Sequence, residues 1–173
     1  MAIKEVLMLG DPALREKSKP VKEFTQEIQE VVSDLKDTLM HLQQEKGLGR
    51  ALAAPQIGYQ KKIIYANLPD EEIVMINPTI IDQSDEMMEL WDSCFSFNVD
   101  FFVKVKRHRW ITVKYTDEGR KQNLRKFSDD LSELFQHEID HLYGIMATDK
   151  MVDEKSIIMR SEWEKLDNNG LGM

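Results

Sequence analysis

The segment Gln136-His137-Glu138-Ile139-Asp140-His141 constrains this chain more than any other, because it sets two imidazoles and a carboxylate on the buried side of a helix. Leu131, Leu134, Phe135, Ile139 and Leu142 recur at helical spacing, and Gly144 is a natural stop. Asp130 followed by Glu133 reads as a capping-box-like start. His137 lies three residues beyond Leu134 and His141 seven beyond it, so both histidines fall along the apolar stripe. Glu138, four beyond Leu134 and four before Leu142, also points inward. Burying three such groups without partners is costly. Imidazoles four residues apart can grip one metal ion. A carboxylate about 100° around the helix can take a proton from a water at that ion. A chance H-E-x-x-H on a surface helix would leave its histidines in solvent. The motif therefore points to an enzyme that performs metal-assisted hydrolysis.

A catalytic zinc or iron site needs a third protein ligand and one open position. Two routes to it are open. In the common metallopeptidase arrangement a downstream glutamate completes the site, and Glu162 or Glu164 stands at a suitable distance. The other candidate is Cys94, the only cysteine. A lone cysteine is more often a small buried apolar residue. Its neighbours in residues 91–97, WDSCFSF, make a compact polar and aromatic segment that suits a site.

The rest of the chain reads as an α+β domain, with antiparallel β-sheets packed around the central H-E-x-x-H helix and a helix near each end. Phe24, Ile28, Val31, Val32, Leu35, Leu39 and Leu42 predict a long amphipathic helix stopped at Gly47. Residues 49–58 read as a loop leading to a strand over 63–66. Residues 73–76 and 80–81 read as short strands around an Asn77-Pro78 turn. Residues 101–105 and 110–115 are β-rich, and Asp117-Glu118-Gly119 turns into a strand before the metal helix. A charged helix is expected over about 153–166, with 168–173 a frayed tail. No repeat or low-complexity linker interrupts residues 1–173, so one metallohydrolase domain is expected.

A formal charge of -8 argues against bulk or sequence-specific nucleic-acid binding, which needs a basic footprint. It leaves docking to a ribosome through a local patch open. One cysteine excludes an intramolecular disulfide and suits a reducing compartment. The opening MAIKEV is no signal peptide, and no apolar run is long enough to cross a membrane. A soluble cytoplasmic protein is expected. His41 reads as a surface residue, and Lys106, Arg107, His108 and Arg109 as a solvated hairpin end. Met87 and Met88 read as flexible core filler, and Trp91 as packing or a pocket wall.

Three segments in series resemble the peptide deformylases, which remove the formyl group from the initiator methionine of nascent bacterial chains. Gly49-Arg50-Ala51-Leu52-Ala53-Ala54-Pro55-Gln56 is similar to that family's G-Φ-G-Φ-A-A-x-Q, where Φ is apolar. Asp92-Ser93-Cys94-Phe95-Ser96 stands where the family has E-G-C-Φ-S, and residues 136–141 follow its Q-H-E-x-D-H. The N-terminal Asp11-Pro12-Ala13-Leu14-Arg15 and Lys19-Pro20-Val21 are similar as well, so the resemblance spans nearly the whole chain.

The resemblance implies Cys94, His137 and His141 as metal ligands, usually of ferrous iron, with zinc, nickel or cobalt able to substitute. It implies Glu138 as general base and then general acid. The Gln56 side chain and the Phe95 N–H would hold the oxyanion. Substrate contacts would fall to Arg50, Ala51, Leu52, Ser93 and Leu134, with formylated nascent peptides as substrates and the ribosome near its exit tunnel as a partner. In the family the first side chain enters an apolar pocket walled partly by the metal helix. The alternatives are a metallopeptidase with a downstream glutamate ligand and a non-catalytic, deformylase-like metal protein that binds nascent chains.

Several positions depart from the family pattern. Arg50 replaces an apolar residue, Ala51 and Ser93 replace glycines, and Asp92 replaces a glutamate expected to pair with Arg107 or Lys106. Asn98 stands where proline is common, and Glu133 where the position is often apolar. The metal ligands, base and glutamine are intact, so the departures fall on the substrate groove. Arg50 there is either solvated or a partner for a substrate carboxylate.

Overall fold

In the computed structural model, which describes residues 2–168, the apolar stripe of the first half forms a helix α1, Gln26–Lys46. Gly47 ends it in the left-handed conformation, φ 67°. Phe24 lies before the N-cap Thr25 and packs against the core from outside the helix. The strands are β1 Ala51–Ala53, β2 Ile63–Asn67, β3 Glu72–Gln83, β4 Met87–Asp92, β5 Phe101–His108, β6 Trp110–Thr116, β7 Gln122–Ser128 and β8 Ile157–Met159. Helix α2, Asp129–His141, carries the histidines, and α3 is Arg160–Asn168. One antiparallel sheet runs β1-β2-β3-β6-β7, and a second runs β4-β5-β8.

The run Ile63-Ile64-Tyr65-Ala66 explains how both helices are held. A strand points successive side chains to opposite faces. Ile63 and Tyr65 join Leu35, Leu39 and Leu52 in the cluster under α1. Ile64 and Ala66 join Leu134, Phe135 and Ile139 in the cluster under α2. A strand covered on both faces has no polar positions, hence the unbroken apolar run. Cys94 belongs to a third cluster with Leu14, Phe97, Val103, Val105 and Met146.

Five expectations need correction. Residues 49–58 are not a loop: they form β1 and a 3-10 turn, Ala54–Ile57. Asn77-Pro78 is not a turn but a bulge inside β3, where the pairing register shifts between Ile76 and Thr79. Asn77 tolerates the φ of 53° required there, and its amide grips the Val21 backbone through two 2.8 Å hydrogen bonds. Met87 and Met88 are not core filler but open β4, with Met87 exposed. The C-terminal helix starts at Arg160 and not near 153, because residues Ile157–Met159 pair with the free edge of β5. Finally, α2 starts at Asp129 with no side-chain cap bond from Ser128, so the Asp130–Glu133 capping box does not form. The tail beyond Asn168 lies outside the described residues. Among the described residues no helix is long and apolar enough to cross a membrane.

Gly144, in the turn after α2, gives a direct test of this packing. Its φ is 72°, and a Cβ built on it would stand 2.3 Å from the backbone oxygen of Arg15. A left-handed alanine alone costs about 1–2 kcal/mol, and backbone cannot yield as a flexible side chain can. Gly144→Ala should lower Tm in a thermal melt by roughly 4 °C or more. An unchanged Tm would contradict the close approach of the N-terminal turn to α2.

Candidate metal centre

Helix α2 and the end of β4 bring Cys94, His137 and His141 together. Their donor atoms all lie within 4.8 Å of one another, and all three residues are buried. His137 Nε2 stands 3.0 Å from His141 Nε2, which stands 3.3 Å from Cys94 Sγ. Donors about 2.0 to 2.3 Å from a tetrahedrally bound ion stand about 3.3 to 3.8 Å apart, and the observed spacings of 3.0 and 3.3 Å need only about 0.3 Å of opening to suit one ion. The hydrogen-bond pattern agrees. Asp92 oxygens lie 2.8 and 3.0 Å from His137 Nδ1, which holds a proton on Nδ1 and turns Nε2 toward the other two donors. The downstream glutamates take no part. Glu162 pairs with Lys165 at 2.7 Å, and Glu164 lies 3.7 Å from Arg160.

Asp92 is held from the far side by Arg107, whose Nη2 lies 3.0 Å away while Nη1 pairs with Asp140. Of the two basic residues that could have paired with Asp92, Lys106 binds Glu89 instead. Arg107 is only 3% exposed, which corrects the expectation of a wholly solvated basic cluster. Burial opposes the charge on Asp92, yet His137 and Arg107 hold its carboxyl below the usual carboxylate range. Burial also opposes a charge on His137, but Asp92 and Cys94 raise its pKa well above the ordinary imidazole value. Burial and His137 push His141 well below that value. Arg107→Met would leave the buried Asp92 with His137 alone and Asp140 with only Lys150 at 3.8 Å, and losing one partner of a buried pair costs about 3–5 kcal/mol. The midpoint of urea unfolding should fall accordingly. A midpoint within error of the unaltered protein would show that Arg107 is dispensable.

The same site places two polar groups beside the donors. Glu138 is buried, its Oε2 has no hydrogen-bond partner among the described residues, and burial pushes its carboxyl up to about 7. A carboxylate of that pKa is suited to exchanging protons near neutrality. Gln56 is fixed by the Ala53 N–H, which donates to its Oε1 at 2.9 Å. Its Nε2 lies 3.3 Å from both Cys94 Sγ and Ser96 Oγ. Phe95 opens a short 3-10 turn, Phe95–Phe97, so its N–H has no acceptor within that turn.

A cavity of about 310 Å³ opens over these groups, lined in part by Arg50, Ala51, Gln56, Ser93, Cys94, Phe95, Leu134, His137 and Glu138. Leu52, expected at the substrate, does not line it. It is fully buried in the cluster under α1, because strand alternation turns it away from its neighbours Ala51 and Ala53. Arg50 is not free for a substrate carboxylate: it is partly solvated and pairs with Asp130 and Glu133. Burial, helped by the nearby Asp92 charge, pushes Glu133 up to about 7. Ser93 and Asn98 have local reasons to depart from the family pattern. Ser93 Oγ donates to the Phe101 carbonyl at 2.8 Å, tying the end of β4 to β5. Asn98 has φ 53°, which proline cannot adopt.

Sequence reasoning missed Arg160 and Trp163, which bring α3 to the cavity wall. Trp163 stacks on Phe102 with ring centroids 4.4 Å apart. The only signal was an isolated tryptophan in a charged segment. Trp91 also lines the cavity. His41 sits near Glu45 on the surface of α1, as expected.

A family model described as polypeptide deformylase matches residues 3–156. A peptide deformylase of Heliobacterium modesticaldum is 36% identical over 154 residues, covering 89% of this chain and 97% of the relative. Peptide deformylase 2 of Clostridium perfringens is 37% identical over 152 residues, covering 87% and 94%. Among solved structures, the peptide deformylase of Thermotoga maritima superposes with a TM-score of 0.81 at 27% identity, covering 88% of this chain and all of that one. That of Legionella pneumophila gives 0.81 at 31% identity, covering 98% and 96%.

Proposed function

Since this chain belongs to the polypeptide deformylase family, we propose that its cavity hydrolyses the formamide at the N-terminal formyl-methionine of newly made peptides, releasing formate and a free amine. The observation that carries this reading is the convergence of Cys94, His137 and His141 beneath Glu138 and Gln56. We read residues 1–173 as one metallohydrolase domain working in the cytoplasm on formylated nascent peptides, and docking near the ribosomal exit tunnel accords with that substrate. Cys94, His137 and His141 would hold one divalent ion, ferrous iron in our reading with zinc, nickel or cobalt able to substitute, which supplies Lewis-acid polarisation when bound.

The chain's own residues do the rest. Glu138 takes a proton from the attacking water and delivers it to the departing nitrogen as the C–N bond breaks. Gln56 Nε2 and the Phe95 N–H donate to the formyl oxygen as it gathers negative charge. Asp92 keeps the His137 ring in one tautomer, and Arg107 keeps Asp92 ionised. Ala51, Ser93 and Leu134 wall the space for the peptide.

The decisive experiment measures formate release from formyl-Met-Ala-Ser by protein purified without oxygen and loaded with ferrous iron. Stoichiometric formate and free Met-Ala-Ser are expected. Cleavage at an internal peptide bond, with the formyl group retained, would overturn this reading in favour of a metallopeptidase.

A further inference from the structure

Arg50 and Glu133 line the cavity but have no task in the proton and oxyanion chemistry above. The Arg50 side chain reaches from the start of β1 to α2, where Nη1 pairs with Asp130 and Nη2 lies 3.0 Å from Glu133. Glu133 stands one helical turn before His137, and its carboxylate lies within 4.8 Å of donor atoms of both His137 and Asp92. It is only 9% exposed, whereas the Arg50 side chain keeps 35% of its surface open. A side chain seated in the cavity against Arg50 and Glu133 would cover this ion pair and strip its remaining water. Apolar atoms return nothing for that loss, while a hydrogen-bonding tip replaces the water.

Resting on the deformylase reading, we propose that the Arg50–Glu133 pair is a specificity determinant. It makes the cavity favour formylated peptides whose first side chain ends in a hydrogen-bonding group over those with an apolar side chain of the same length. Methionine, whose thioether is a weak acceptor, stands between the extremes. The amide of glutamine and the oxygen of methionine sulfoxide are the groups that match a guanidinium and a carboxylate side by side.

The test is a nearly isosteric series, formyl-X-Ala-Ser, with X norleucine, methionine, methionine sulfoxide or glutamine. In the unaltered protein, kcat/KM for glutamine or the sulfoxide should exceed that for norleucine by about tenfold, mainly through KM. The double variant Arg50→Met with Glu133→Leu removes both partners, so neither charge is left buried alone. It should reverse the order and put norleucine first. Norleucine at or above both polar side chains in the unaltered protein would overturn the inference, and that ranking stands even if the double variant does not fold. A double variant that folds and keeps the polar preference would overturn it too. Formate released from none of the four peptides would instead defeat the deformylase reading itself.

Discussion

Cys94→Ser should strip the protein of most of its metal and nearly all formate release, while Glu162→Gln and Glu164→Gln leave both within about twofold of the unaltered protein. The contrast follows from position and from softness. Cys94 Sγ faces His141 Nε2 at 3.3 Å, inside the donor cluster, whereas Glu162 is occupied by Lys165 on α3. A thiolate suits ferrous iron or zinc better than a serine hydroxyl, which remains protonated at neutral pH. Removing a group that merely orients a ligand typically costs 10- to 100-fold in metal affinity, so loss of a ligand itself should cost about 100-fold or more. Elemental analysis after dialysis reads the metal, and formate assay reads the activity. Cys94 is small, and serine is nearly isosteric, so the fold should survive. Full metal content in Cys94→Ser would remove the cysteine from the site and return the third-ligand question to the carboxylates.

The metal helix was legible in the sequence because its signal is local: an apolar stripe with three polar residues on the wrong face has few physical resolutions. The same locality made α1 and its Gly47 stop readable. What escaped were features created by contact between distant segments. Asp130 and Glu133 have the spacing of a capping box, but Arg50, eighty residues earlier, supplies a partner that sequence spacing cannot reveal. Likewise β8 is a strand only because the edge of β5 is free to pair with it. Asn77-Pro78 has the composition of a turn, yet the hydrogen bonds of Asn77 to Val21 hold it as a bulge within one long strand. Leu52 reads as a substrate contact alongside its neighbours, although alternation along a three-residue strand sends it the other way. Arg160 and Trp163 reach the cavity through the turn of a nine-residue helix whose docking no periodicity specifies.

Glu138→Gln should retain the metal yet lose about 10²- to 10⁴-fold in kcat, because the amide can no longer accept a proton from water or return one to the leaving nitrogen. Glu138 is not among the residues whose donor atoms converge with Cys94, so its replacement leaves the ligand set whole. Stability should not suffer. The carboxyl is pushed up to about 7 by burial, which means that the site disfavours its charged form and a neutral amide relieves that penalty. A fall in kcat with unchanged metal content and unchanged Tm is therefore the expected signature of lost proton transfer, distinct from damage to the fold. Undiminished formate release by this variant would take Glu138 out of the mechanism and leave the buried carboxylate with only a structural part. The pairing of this variant with the unaltered protein also separates enzyme from binder. A deformylase-like protein that only holds formylated chains would show equal peptide affinity in both forms and no turnover in either. An enzyme differs between them in turnover while its affinity for the peptide stays nearly level.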